Sequence, residues 1–178
     1  MNNDSKVWIN GELIPRCDAT APILSHGFSR GSAIFDVFGV YPGPQGPMAF
    51  RMDDHLKRLL KSAELLEMEL PYSTGEIIEA VKATVKANGI GRGIIKILAY
   101  WSEEAITELV LDSKLDVAVF AIAEGENLVM DKKQTLSACL SKWRKLHPET
   151  VPVGAKACAN YLNGYLARKD AASRGFDI

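Results

Sequence analysis

Val151-Pro-Val-Gly-Ala-Lys156-Ala-Cys-Ala-Asn160-Tyr161-Leu-Asn163 sets one lysine in a loop of small residues that runs directly into a helix opening at Asn160 and Tyr161. By count alone Lys156 is one of 21 Lys and Arg residues, and most such side chains lie on solvated surface. Its small neighbours set it apart, because they leave room for a flat molecule against the amine. Lysine performs covalent chemistry by forming a Schiff base with a carbonyl, and the usual electron sink for that chemistry is pyridoxal phosphate. The loop therefore suggests a pyridoxal-phosphate enzyme.

Upstream of this loop the chain is strongly patterned. Asn10-Gly11 between apolar flanks is a hairpin signal with a type I′ turn. Residues 33–41 are rich in aromatic and branched side chains, and Pro42-Gly-Pro-Gln-Gly-Pro47 should be a turn or irregular loop joining two strands. A helix over about 53–68 follows, capped by Asp53 or Asp54, with Leu56, Leu59, Leu60, Ala63 and Leu66 as its buried stripe. Arg58 lies well round the helix from that stripe, so amphipathicity alone makes it a solvated side chain. Ser73-Thr-Gly-Glu76 is a capping box for a second helix over about 73–88, buried through Ile77, Ile78, Val81 and Val85 and stopped by Asn88-Gly89.

Gly89-Ile-Gly-Arg-Gly93 lacks the spacing of a dinucleotide fingerprint and precedes a strand-like run, so it reads as a turn. Residues 93–101 and 116–123 are apolar at nearly every position, as expected of strands in the middle of a mixed sheet covered on both faces. The chain turns polar over 124–127, where a domain boundary is expected, and 134–141 then alternates at period two. Residues 160–172 read as a helix packed through Leu162, Tyr165 and Leu166.

The lysine loop resembles the cofactor-lysine region of the class IV, or fold-type IV, aminotransferases, where a short spacer and an Asn-Tyr pair follow the lysine. Leu24-Ser-His-Gly-Phe-Ser-Arg-Gly-Ser-Ala-Ile-Phe-Asp36 and Phe50-Arg-Met-Asp-Asp-His-Leu-Lys-Arg-Leu-Leu-Lys-Ser-Ala63 extend the resemblance, which runs from about Val7 to Gly175. Ser141-Lys-Trp-Arg-Lys-Leu-His-Pro-Glu-Thr-Val-Pro152 is similar to the branched-chain members. The resemblance implies a two-domain α/β fold of the α+β type. Residues 1–126 would form a complete N-terminal domain, and 127–178 the first part of a larger cofactor-binding domain. By the same comparison the chain stops early: the glutamate that pairs with the pyridine nitrogen and the later phosphate-binding loops would lie beyond Ile178.

The resemblance also implies roles. Lys156 would be the Schiff-base and proton-transfer residue, Arg58 of the His-Leu-x-Arg-Leu motif a ligand of the cofactor phosphate, and Tyr161 a partner of the ring oxygen. Phe35 matches an aromatic position lining the side-chain pocket. Arg30 stands where branched-chain enzymes commonly have tyrosine, and Lys96 where some have an arginine near the substrate carboxylate. The implied reaction moves an amino group between a branched-chain L-amino acid and 2-oxoglutarate in a homodimer. A D-amino-acid aminotransferase or aminodeoxychorismate lyase of the same fold is the alternative, and a truncated, non-catalytic binding or assembly module is the alternative of another class.

Composition bounds the remainder. The chain has 178 residues, 47% hydrophobic and 24% charged, with a formal net charge of −1. That is globular, and it offers no broad attraction for nucleic acid or an anionic membrane. No apolar run approaches the ~18 residues that span a bilayer. Cys17, Cys139 and Cys158 form no Cys-x-x-Cys spacing and the first residues contain no apolar signal stretch, so free thiols in a cytoplasmic setting are expected. Cys158 reads as a small buried thiol. His26, His55 and His147 have no metal-ligand spacing and receive no role, and no metal is expected. Asn3-Asp4-Ser5 fits a glycosylation sequon but carries little without a secretory signal.

Overall fold

The structure, a computed structural model, describes residues 5–125, 128–131 and 135–178. Asn10 and Gly11 take φ of 49° and 101°, as the expected type I′ turn requires, and join β1 (Lys6–Ile9) to β2 (Glu12–Pro15). The Asn10 side chain donates to Asp116 at 2.8 Å and accepts from the Val117 amide at 2.9 Å. A turn residue thus fastens the hairpin to the sheet.

A short α1 (His26–Arg30) leads into β3 (Ala33–Gly43), β4 (Gly46–Ala49), α2 (Met52–Leu65), α3 (Thr74–Ala87), β5 (Gly93–Tyr100), β6 (Asp116–Ala123) and α4 (Tyr161–Ser173). The strands form a six-stranded sheet in the order β2-β1-β6-β5-β3-β4. β5 and β6 do lie in its middle, but every pairing is antiparallel rather than mixed. Of the turn or irregular loop expected at 42–47, the structure shows a tight turn: β3 and β4 stay paired to Gly43↔Gly46, with Gly46 at φ 120°.

One sheet face carries the core. Ile34, Phe38 and Val40 of β3, Ile95 and Ile97 of β5, and Val117 and Val119 of β6 pack with Leu56 and Leu59 of α2 and Ile77 and Val81 of α3. The opposite face, with Phe35, Lys96, Leu98 and Phe120, is only half-buried. Cover on both faces is therefore not observed among the described residues, and the strands alternate as one-sided antiparallel strands do.

Helix α3 has its capping box, Ser73 with Glu76, and Gly89 follows it at φ 59°. Helix α2 departs from its expected cap. Arg51 precedes it in the left-handed region at φ 49° with no side-chain cap, and Asp53 and Asp54 sit inside the first turn, where their charge suits the helix dipole. Leu60 is exposed, and Ser62 holds the buried position one turn on from Arg58.

Two further expectations change. In α4 only Ala171 is buried, while Leu162 and Tyr165 are exposed, because their side of the helix meets no other described element. Of 134–141, Gln134 lies outside the described residues; 135–141 form no strand, and their backbone contacts are to the last residues, through Cys139 N to Ile178 O at 3.0 Å and Ile178 N to Ser137 O at 3.1 Å.

Candidate active site around Lys156

The Lys156 segment adds a short strand-like piece to the outer edge of β3, in line with β4. Ala157 bridges Ile34, the Phe35 amide donates to the Lys156 carbonyl at 3.1 Å, and the Cys158 amide donates to the Ala33 carbonyl at 2.8 Å. From the helix side, the buried Ser62 hydroxyl accepts from the Lys156 amide at 3.0 Å and donates to the Arg58 carbonyl at 2.8 Å. Strand alternation then decides where the lysine points. Ala155 and Ala157 turn inward and are buried, leaving the Lys156 side chain on the open side with Phe35. Small neighbours are needed at this docking: a Cβ on Gly31 would stand 3.3 Å from Ala159 Cβ.

The Lys156 amine donates to the Tyr161 hydroxyl at 2.5 Å. It stands 4.6 Å from the Phe35 ring centre and 5.1 Å from that of Tyr161, and the two rings meet at 4.9 Å and 56°. Lys96 brings a second amine to the Phe35 ring at 5.1 Å. Lys156, Tyr161, Phe35 and Lys96 therefore lie together. Arg30 is not part of this set. It donates to the Ile106 carbonyl at 2.9 Å, which ties the end of α1 to the loop between β5 and β6.

Arg58 is not a free surface side chain. Its Nε and Nη2 each donate at 2.8 Å to the two carboxylate oxygens of Asp36, a fully buried residue of β3. The Val37 amide donates to Asp36 Oδ1 at 2.7 Å, and His55 Nδ1 donates to the same oxygen at 2.8 Å. Burial pushes the Asp36 carboxyl up, but the hydrogen bonds and charges of Arg58 and His55 outweigh it and hold the group below the usual aspartate value. The Asp36 hydrogen bond is also the main reason that Arg58 is raised; burial opposes this, and the charge of Asp36 adds to it. Arg58 Nη1 makes no hydrogen bond among the described residues.

Asp36 and His55 escaped the sequence reading, yet both left signals. Asp36 is an acid at the inward parity of an apolar strand, between Ile34 and Phe38, and His55 is placed one helical turn before Arg58. His26, also given no role, is buried: Nδ1 meets the Ser32 hydroxyl at 2.5 Å and Nε2 the Leu109 carbonyl at 3.2 Å. It braces α1 against the loop between β5 and β6. Burial pushes the Cys158 thiol up, partly offset by Lys96 and Lys156.

The donor set fits pyridoxal phosphate. Lys156 makes no ion pair with a carboxylate among the described residues, so its amine is available to a carbonyl. Tyr161 supplies a phenol beside it, and Arg58 a guanidinium with unused N–H groups, a fork suited to phosphate oxygens. Among the described residues no group of three or more His, Cys, Asp or Glu could hold a metal ion, and no helix is long and apolar enough to cross a membrane.

The family profile described as amino-transferase class IV matches residues 33–178. The chain is 32% identical over 173 residues to a probable branched-chain-amino-acid aminotransferase of Rickettsia typhi, covering 96% of this chain and 57% of that protein. It is 30% identical over 177 residues to the branched-chain-amino-acid aminotransferase of Pseudomonas aeruginosa, covering 99% and 58%. Among solved structures it resembles the branched-chain aminotransferase of Thermoproteus uzoniensis with norvaline, at TM-score 0.89 and 34% identity over 97% of this chain and 58% of that one. It also resembles the T.th. branched-chain amino acid aminotransferase with pyridoxamine 5′-phosphate, at TM-score 0.88 and 31% identity, covering 98% and 58%. The α+β architecture is that of the fold-type IV aminotransferases. The chain belongs to the class IV amino-transferase family and spans less than three fifths of the length of these relatives.

Proposed function

We propose that this chain carries the lysine, phenol and guanidinium of a pyridoxal-phosphate aminotransferase site that exchanges an amino group between a branched-chain L-amino acid and 2-oxoglutarate. The observation that carries this reading is the 2.5 Å contact of the Lys156 amine with the Tyr161 hydroxyl over the Phe35 ring. When bound, pyridoxal phosphate supplies an aldehyde that captures amines and a ring that accepts the electron pair left at the substrate Cα.

The protein residues divide the remaining work. Lys156 would anchor the cofactor through Nζ and, once displaced by the substrate amine, take the proton from the substrate Cα as a neutral amine. Its backbone cannot shift during this exchange without breaking the Ser62 and Phe35 hydrogen bonds. Tyr161 would bond the ring oxygen and Arg58 the phosphate. Phe35 offers an apolar wall to an aliphatic side chain, and Lys96 beside it a cation for a carboxylate. Residues 1–126 would form one domain, and 127–178 would open the larger, cofactor-binding one.

The test is turnover with pyridoxal phosphate. L-leucine, L-isoleucine or L-valine with 2-oxoglutarate should yield glutamate. Turnover of D-alanine, or pyruvate release from aminodeoxychorismate, in place of that reaction would assign the site to the other chemistries of this fold.

A further inference from the structure

We infer that Asp36 is a positioning residue, which fixes Arg58 in advance so that the unused edge of its guanidinium faces the phosphate of pyridoxal phosphate. The inference rests on the proposed cofactor reading and deepens it, by naming what makes Arg58 a site rather than a mobile cation.

The position of Asp36 demands a reason. Its neighbours on the helix-facing side of β3, Ile34 and Phe38, are 0% and 3% exposed, and Asp36 itself is 0% exposed. An apolar residue there would complete the core, and replacing a buried ion pair by well-packed hydrophobes is often neutral or stabilising. Stability alone therefore does not account for the carboxylate. Orientation does. Arg58 has a side chain 47% exposed at the end of a flexible stem, and an unrestrained arginine is spread over many rotamers. The paired 2.8 Å hydrogen bonds from Nε and Nη2 remove that freedom before any ligand arrives and leave Nη1 unused. Asp36 is itself held by the Val37 amide and by His55, so the fork is fixed at both ends. As a mere counter-charge Asp36 would have the opposite effect, since it cancels charge that an anion seeks.

The experiment compares the affinity of the full chain for pyridoxal 5′-phosphate with that for pyridoxal, which lacks the phosphate, by absorbance at the Lys156 adduct. The ratio isolates the phosphate contribution, because general damage to the fold weakens both aldehydes alike. Asp36→Asn should lower the ratio about tenfold with pyridoxal binding unchanged, the size of one hydrogen bond to a charged group. Arg58→Lys keeps the charge but cannot form the fork, and should show the same loss even if Asp36→Asn does not fold. Arg58→Met should remove the preference altogether. If Arg58→Met removes it while Asp36→Asn or Arg58→Lys keeps or raises it, the positioning role is overturned and the cofactor reading stands. If the unaltered chain shows no preference for the phosphate, or Arg58→Met retains it, the assignment of Arg58 fails and the inference falls with it.

Discussion

The Lys156 amine and the Tyr161 hydroxyl meet at 2.5 Å although the residues are five positions apart. The chain between them curls to allow it: the Asn160 amide donates to the Ala157 carbonyl at 3.2 Å and the Tyr161 amide to the Cys158 carbonyl at 3.1 Å. This turn carries Tyr161 back over Phe35, beside the lysine. Tyr161→Phe keeps the ring and loses the hydroxyl. Affinity for pyridoxal phosphate should fall about tenfold, as for one hydrogen bond to a charged group, with the melting temperature unchanged; a titration by absorbance measures it.

The Asp36 cluster makes the fold acid-sensitive in a defined window. Its carboxyl lies below the ordinary aspartate value of 3.8 when folded, so the unfolded chain binds the proton more readily. The contribution of Asp36 is then complete above that value and lost as pH falls through the lower folded one. Asp36→Asn should cost about 2 kcal/mol near neutral pH, less than the ~3–5 for a fully buried pair because Arg58 is half-exposed. Urea unfolding at a series of pH values should show a constant gap to the unaltered chain above about pH 5, narrowing below the ordinary aspartate value near 4.

Ser62 joins the framework to the lysine, since its buried hydroxyl links the Lys156 amide to α2. Ser62→Ala leaves that amide without its partner and should destabilise by roughly 1–3 kcal/mol. Hydrogen exchange should rise at Lys156 and its neighbours, while α3, capped independently by Ser73, stays protected.

The family resemblance implies a homodimer, and the exposed loop between β5 and β6 offers a place to test it. Ile106, Leu109 and Val110 are 77%, 72% and 88% exposed, a cluster of apolar side chains of the kind that marks an association surface. Val110→Asp should shift sedimentation toward the monomer without lowering the melting temperature of the monomer itself.

What could be read from the residues followed local physics closely. Asn10-Gly11, the Ser73-Glu76 box and the Gly89 stop were legible because turn and cap chemistry depends on neighbours in sequence. Lys156, Tyr161 and Arg58 were named from family resemblance, and Phe35 joined them on the same ground. The Asp36 fork was not foreseen, because it closes across 22 positions between a strand and a helix, and amphipathicity alone assigns Arg58 to solvent. The α4 face failed for a related reason. Leu162 and Tyr165 have the spacing of a buried stripe, but spacing does not say whether an element lies opposite to cover them. The Arg51 entry to α2 was hidden because the backbone takes φ 49° with a residue that rarely adopts it.

Borohydride reduction of the purified chain with pyridoxal phosphate, followed by mass mapping of the modified peptide, tests the lysine assignment most directly. Reduction should fix a single adduct on Lys156, and Lys156→Ala should abolish both the adduct and the cofactor absorbance band. Labelling scattered over surface lysines, or an absorbance band that persists in Lys156→Ala, would contradict the assignment.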